Sequence, residues 1–388
     1  MDEPFRMNAV ATSFFGSNAL ALLPPELDKR GLRRVLIVTD KFLFDSGAAE
    51  KVTHCLDQTA VAYGIYNGVQ PNPTLSVVND CLKFALQMHA DCLLALGGGS
   101  AIDTSKAVGI LCANGGSAEQ YEGINKSLKP SIPIVAVNTT AGTGSEVTAF
   151  YIVTNNQTHS KMVMVDTNCM VSIAVNDTNL MLSMPKGLTA STGMDAMTHG
   201  VEALLSRRAT PLTDKDAVWA IRTIREFLPR AVKDGGDVEA RNQMAYAEYT
   251  AGMAFSNGGL GMVHAMAHAL GGFYNLPHGV CNAVLLPHVM QYNGKNQAIL
   301  PRFHVLADAL GIRNAQFGSS PQLVRQSVEL IRNMSSSFGI PEKLRLLKKV
   351  NPSDFSQLAD LALKDTGMLD NPVQPSKEDV ICVYQQAF

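Results

Sequence analysis

Charge is scarce in this chain. Lys, Arg, Asp and Glu make up 17% of its 388 residues and nearly cancel, leaving a net charge of −2. No run of five like charges occurs, so the sequence carries no electrostatic footprint for nucleic acid or an anionic membrane surface. No uncharged stretch reaches 18 strongly apolar residues, which argues against a membrane-spanning helix. The opening MDEPFRMNAV lacks the apolar core of a signal peptide. The seven cysteines, Cys55, Cys81, Cys92, Cys112, Cys169, Cys281 and Cys382, form no CxxC pair. An odd count at irregular spacing fits reduced thiols better than a disulfide framework. The expected compartment is the cytoplasm. What is abundant is apolar surface: hydrophobic residues reach 46%. A chain of this length can build two sizeable cores, and the surplus suggests an oligomer interface as well.

The first half alternates short apolar runs with amphipathic stretches. Val35–Val38, Cys92–Leu96 and Ile134–Val137 read as buried strands, and Gly64–Tyr66 as a weaker one. Thr74–Met88 and Ile102–Leu111 have helical periodicity. Continuous apolar strands alternating with helices predict a parallel α/β sheet covered on both faces. After Met184-Pro185 the texture changes. Leu188–Leu205, Asp214–Phe227, Val238–Phe255, Gly261–Leu270, Ala283–Met290, Pro301–Leu310 and Pro321–Phe338 all read as helices, with no convincing strand among them. The expected boundary lies near residue 186. It divides an α/β domain over 1–186, with a Rossmann-like parallel sheet, from an all-helical domain over 187–388.

No GxGxxG follows any strand, so the standard dinucleotide fingerprint is absent. In its place Leu96-Gly97-Gly98-Gly99-Ser100-Ala101-Ile102-Asp103 follows a strand and opens a helix. Glycines allow close approach to a pyrophosphate, and a helix N-terminus offers N–H groups and a positive dipole end. Ser100 also reads as an N-cap, with Asp103 completing a capping-box-like pair. A second loop, Thr139-Thr140-Ala141-Gly142-Thr143-Gly144-Ser145-Glu146, follows the strand ending at Val137. Two such loops at the carboxyl ends of parallel strands converge where open α/β sheets bind ligands. Asp40, ending the first strong strand, is placed to accept from an adenosine ribose and to repel a 2′-phosphate, which favours NAD over NADP. The bland alternative for Asp40 is a turn aspartate.

The helical half concentrates histidine. His264, His268 and His278 fall within fifteen residues in a segment almost devoid of charge, and Asp195 and His199 stand four apart upstream. Residues at i and i+4 project from one face of a helix. Histidine is costly to bury without a partner and is the commonest metal ligand. One Asp with three His makes a hard-to-borderline N/O site open to Fe(II), Zn(II) or Mn(II), and no cysteine is placed to make it a structural zinc site. Met194, Met197, Met262 and Met266 repeat at helical spacing and read as core. His288 reads as structural, and His54, His89, His159 and His304 as surface residues.

At this point the chain resembles a known family, the iron-containing (group III) alcohol dehydrogenases, in particular its lactaldehyde and 1,3-propanediol oxidoreductases. The segments that carry the resemblance are GGGSAIDTSKA (97–107), NTTAGTGSEVT (138–148), TGMDAMTHGVEA (192–203) and GMAFSNGGLGMVHAMAHALGGFYNLPHGVCNAVLLPHV (252–289). It spans about residues 10 to 295 and fades afterwards. The resemblance implies a dehydroquinate synthase-like fold of two domains with a deep cleft, and a divalent metal held by Asp195, His199, His264 and His278. His268 would stand nearby in a proton relay. Asp40, Asn72, Gly98, Gly99, Ser100, Asp103, Thr139, Thr140, Thr148 and Lys161 would contact NAD, and Phe150 and Phe255 would line the substrate end. It also implies a homodimer or larger homo-oligomer.

Together these readings give an NAD- and metal-dependent alcohol dehydrogenase, with Fe(II) favoured and Zn(II) open, acting on a small alcohol or aldehyde. Two rivals stand beside it. A non-redox enzyme of the dehydroquinate synthase type would need basic groups around its substrate, whereas the metal motifs here are flanked by Ala, Met, Phe and Gly. A non-catalytic metal-binding assembly protein would leave both glycine loops unexplained.

Overall fold

The computed structural model describes residues 4–158, 160–313, 315 and 318–388; His159 lies outside them. The chain forms two compact units. One is Met7–Met184, and the other takes in Pro185–Phe388 with the N-terminal residues up to Arg6.

Among the described residues the first unit holds nine strands: β1 (Thr12–Phe15), β2 (Arg34–Asp40), β3 (Ala62–Val69), β4 (Cys92–Gly97), β5 (Gly123–Ile124), β6 (Ile134–Asn138), β7 (Phe150–Thr154), β8 (Lys161–Val165) and β9 (Ile173–Asn176). Six of them form one all-parallel sheet in the order β1-β9-β6-β4-β2-β3. Every residue of β4 and β6 is buried, as a sheet covered on both faces requires. Helices α1 (Leu23–Lys29), α2 (Lys41–Asp45), α3 (Ala48–Leu56), α4 (Leu75–Gln87) and α5 (Gly99–Asn114) connect and cover it. Alternate residues Val35, Ile37, Leu94, Leu96, Val135, Val137, Ile173 and Val175 pack with Leu23, Leu27, Val52 and Leu56 in one core. Each such side chain contributes about 1.5–3 kcal/mol by leaving water. From β2 the chain passes to β3 on one side and then to β4 on the other. The order therefore reverses at the β2/β4 pair, where open α/β sheets bind ligands.

A second, three-stranded sheet in the order β5-β8-β7 pairs β7 with β8 antiparallel. Buried Lys106 of α5 ties this hairpin down, donating from Nζ to the carbonyls of Thr148 and Phe150, each at 2.7 Å.

The second unit is helical: α6 (Lys186–Leu205), α7 (Pro211–Lys233), α8 (Val238–Gly258), α9 (Met262–Tyr274), α10 (His278–Asn293), α11 (Leu300–Ala309), α12 (Ser320–Ser337), α13 (Phe355–Lys364) and α14 (Lys377–Ala387). Residues Thr189 to Leu205 of α6 are all buried, so this helix forms the centre of the unit. Helix α9 stops at Asn275, which takes the left-handed conformation (φ 53°) that asparagine tolerates. Three residues later α10 begins at His278, behind Pro277. His304 is half-buried rather than at the surface, because its ring bonds the Ala315 carbonyl and the Ser320 hydroxyl. No helix among the described residues is long and apolar enough to cross a membrane, and no disulfide joins any two of the seven cysteines.

Candidate metal centre and dinucleotide loops

Three helices each contribute a pair of polar side chains at i and i+4: Asp195 and His199 on α6, His264 and His268 on α9, His278 and Asn282 on α10. The spacing puts both members of each pair on one helix face. Ligand atoms of Asp195, His199 and His264 lie within 4.8 Å of one another, and all three residues are buried. Around Asp195 Oδ1 stand the Nε2 atoms of His264 at 3.6 Å, His278 at 3.7 Å and His199 at 3.9 Å. Asn282 Nδ2 donates to Asp195 Oδ1 at 2.6 Å and lies 3.1 Å from Nε2 of both His264 and His278. Phe255 of α8, itself buried, stacks on His199 with ring centroids 4.2 Å apart. His268 stacks on His278 at 5.0 Å.

The electrostatics follow from burial and proximity. Burial opposes the charge on Asp195, yet His278, His199 and His264 hold its carboxyl well below the ordinary carboxylate range. Burial also works against a charged His264, but the Glu202 and Asp195 carboxylates raise it to about 9. Two histidines meet carboxylates other than Asp195 at Nδ1: His264 meets Glu202 Oε2 at 2.5 Å, and His268 meets Asp365 Oδ2 at 2.7 Å. Asp365 is held below its usual range by His268, against the opposing effect of burial.

This donor set fits a divalent cation. Bonds of about 2.1 Å place tetrahedral ligand atoms about 3.4 Å apart, close to the 3.6–3.9 Å found around Asp195 Oδ1. Asp195 is almost fully buried, where a charge needs an opposite charge or a metal beside it. Asn282 Oδ1 is likewise buried with no hydrogen-bond partner among the described residues. Nitrogen and oxygen donors without sulfur suit Fe(II), Zn(II) or Mn(II).

In the α/β unit the loops after β2, β4 and β6 share the carboxyl edge of the sheet. Val38 of β2 is registered with Ala95 of β4, and Gly97 of β4 with Asn138 of β6. Thr139 donates from its N–H to the Gly97 carbonyl at 3.2 Å, which joins the two small-residue loops. Asn72, with φ 54°, follows β3 on the same edge. Asp40 caps α2, Oδ1 accepting from the Leu43 N–H at 2.8 Å, so the turn role and a ribose role would share one carboxylate.

The structure corrects the expectation for Ser100. The N-cap of α5 is Gly98, in an extended conformation and with no side-chain cap bond, and Ser100 lies inside the first turn. Asp103 turns instead to the β7 strand, where its Oδ2 accepts from the Ile152 N–H at 3.1 Å. Burial raises Asp103 to about 6, although Lys106 and that N–H pull the other way. A first turn uncapped by a side chain keeps its N–H groups for an anion. Thr148 Oγ1 lies 3.4 Å from Lys106 Nζ, Phe150 opens β7, and Lys161 opens β8.

Glu202, Asn282 and Asp365 join the site without belonging to the set the sequence predicts. The first two carry a usable signal, since Glu202 continues the Asp195 and His199 face at i+7 and Asn282 stands four after His278. Asp365 carries none: it lies 97 residues from the histidine it holds.

Fold and site together define a protein of two parts, an open α/β sheet with small-residue loops at its carboxyl edge and a helical unit with an Asp/His centre. The family model for iron-containing alcohol dehydrogenase matches residues 11–178. The model for the C-terminal part of the Fe-containing alcohol dehydrogenase family matches residues 189–388. The chain is 42% identical to the 1,3-propanediol dehydrogenase of Klebsiella pneumoniae, over 97% of each chain. It is 38% identical to the NAD-dependent methanol dehydrogenase of Bacillus methanolicus, over 97% of this chain and 98% of that one. The crystal structure of a 1,3-propanediol oxidoreductase superposes with a TM-score of 0.95 at 42% identity, covering both chains completely. The chain belongs to the iron-containing alcohol dehydrogenase family, and it is an oxidoreductase acting on the CH–OH group.

Proposed function

We propose that this protein is an NAD-dependent alcohol dehydrogenase that interconverts small primary alcohols or diols and their aldehydes. The observation that carries the proposal is the gathering of three imidazole Nε2 atoms around one buried carboxylate oxygen. Residues 1–186 are assigned the dinucleotide and residues 187–388 the metal. Asp195, His199, His264 and His278 would hold the metal, Fe(II) first and Zn(II) second. Asp40, Asn72, Gly98, Gly99, Ser100, Asp103, Thr139, Thr140, Thr148 and Lys161 would hold NAD. Once bound, the metal supplies Lewis acidity at the substrate oxygen and NAD supplies the hydride acceptor.

The protein's own residues do the rest. Phe255, flat on His199, excludes water beside the metal ligands and favours an apolar carbon chain over a charged one. Phe150, at the start of β7, is also assigned to the substrate. His268 handles the alcohol proton. Asp365 engages its Nδ1, so exchange falls to Nε2, and the buried carboxylate steadies the imidazolium that forms. The apolar composition, with Phe42 65% and Leu128 94% exposed, supports a homodimer or larger assembly. Seven cysteines without a disulfide support a cytoplasmic setting.

The test strips the protein of metal, reloads it anaerobically with Fe(II) or Zn(II), and follows NADH absorbance with a panel of short alcohols, diols and aldehydes. Metal-dependent turnover is the expected result. Bound metal and NAD without any net NADH change would overturn the redox reading in favour of a dehydroquinate synthase-like one.

A further inference from the structure

We infer that Glu202 is the positioning residue of the metal centre: it fixes which nitrogen of His264 faces the metal and anchors the helix that carries it. The inference rests on the metal reading above. Glu202 lies on α6 three residues after His199, on the same face as Asp195. It reaches across to α9 and is almost completely buried. Oε1 accepts from the Val263 N–H at 2.7 Å, and Oε2 meets His264 Nδ1 at 2.5 Å. Both carboxylate oxygens are thus engaged by nitrogen donors.

Three consequences follow. With Nδ1 donating to Glu202, the neutral His264 ring carries its lone pair on Nε2, the atom that stands beside Asp195 Oδ1. A carboxylate on the remote nitrogen of a metal-ligating histidine orients the ring and raises its basicity. The negative charge also sits at the N-terminus of α9, where the helix dipole favours it. Finally, the contact is built into the backbone, because a Cβ on Gly261 would stand 2.8 Å from Glu202 Oε1. The cavity on this side of Glu202, bordered by Val201, Leu205 and Val263, is only about 10 Å³, room for one water at most. Solvent is a poor substitute for the carboxylate.

Glutamine makes a sharp probe of this arrangement, because it matches glutamate in shape and can accept through only one atom. With its NH₂ toward Val263 it opposes the backbone N–H and loosens α9. With its NH₂ toward His264 it requires an Nδ1 lone pair, which moves the ring proton to Nε2 and removes the ligand. Either way the metal pays.

The experiment measures Zn(II) dissociation constants by competition with a chromogenic chelator, for wild type, Glu202→Gln and Asp195→Asn, with thermal melts of each metal-free protein. The expected result is about a 10- to 100-fold weaker Zn(II) affinity in Glu202→Gln, with a folded metal-free protein. Equal affinity in wild type and Glu202→Gln would overturn the inference, as would a variant that loses thermal stability yet binds Zn(II) unchanged. A wild type that binds no stoichiometric Zn(II) would sink the metal reading itself, which separates the two failures. If Glu202→Gln does not fold, nitrogen-15 NMR of histidine-labelled, zinc-loaded wild type decides. His264 must show a protonated Nδ1, its proton strongly deshielded by the carboxylate, and a metal-shifted Nε2, and the reverse assignment refutes the role given to Glu202.

Discussion

Gly279, the second residue of α10, decides how closely that helix approaches α6. A Cβ built there would lie 2.3 Å from the Ser191 carbonyl oxygen and 2.8 Å from its carbon. Real Cβ contacts essentially never fall below 3.0 Å. Both colliding atoms are backbone within α6, so no side chain can swing aside. Gly279→Ala must therefore drive the start of α10 away from α6 by about 0.7 Å or more. His278 precedes Gly279 directly and moves with it. Its Nε2, now 3.7 Å from Asp195 Oδ1, would recede to roughly 4.4 Å, against the ~3.4 Å spacing a tetrahedral site asks for. The expected outcome is a metal dissociation constant raised at least about 100-fold, more than loss of an outer partner costs. The metal-free protein should lose about 1–3 kcal/mol through overpacking. Gly187→Ala is the control. Nothing lies within 4 Å of a Cβ there, and the substitution should stabilise by about 0.5–1 kcal/mol. Chelator competition and thermal melts read both quantities. A Gly279→Ala protein that melts like wild type and binds Zn(II) with unchanged affinity would show that helix proximity does not set the position of His278.

Other outcomes follow from the same structure. Asp40→Gly should let NADP compete with NAD, and should cost only a few tenths of a kcal/mol at the α2 cap, which glycine serves almost as well; unchanged cofactor preference would remove Asp40 from the ribose assignment. Phe255→Ala should cost about 3–5 kcal/mol as a buried aromatic is lost and raise KM for alcohols more than it lowers kcat, which steady-state kinetics would read. Burial raises the folded Asp103 to about 6, above its ordinary 3.8. The folded carboxyl thus holds its proton more tightly than the unfolded one. The stabilisation is complete below about pH 4 and is lost as pH rises through about 6. Asp103→Asn, which stays neutral, should gain on wild type by about 2–3 kcal/mol between about pH 4 and 7 in urea unfolding. A pH-independent difference between the two proteins would contradict that assignment.

What could be read from the sequence was whatever repeats at short range. The continuous apolar runs of β4 and β6 stand out because both faces are buried, and no polar residue interrupts them. Their helices follow from ordinary periodicity. β1, β5, β7, β8 and β9 are not legible in the same way: β1 and β7 show mixed, partial burial and β5 spans two residues, while the short apolar runs of β8 and β9 cannot be told from a buried helix segment by periodicity alone. The Ser100 expectation failed for a related reason. A capping box is a local motif, but here a tertiary demand, the Ile152 N–H at the hairpin, takes the Asp103 carboxylate away from it. The helical unit repeats the lesson at its centre. Asp195 with His199 and His264 with His268 are local pairs, visible as i,i+4 spacing in an uncharged stretch. What orients them comes from elsewhere: Glu202 to a histidine on another helix, Asp365 from beyond α13, and the Tyr384 hydroxyl from α14 to the Met266 carbonyl at 2.8 Å. The last two lie past residue 295, where the motifs fade. The C-terminal segment thus keeps its bearing on the site in single long-range contacts. Those contacts constrain one residue each and leave no periodic trace.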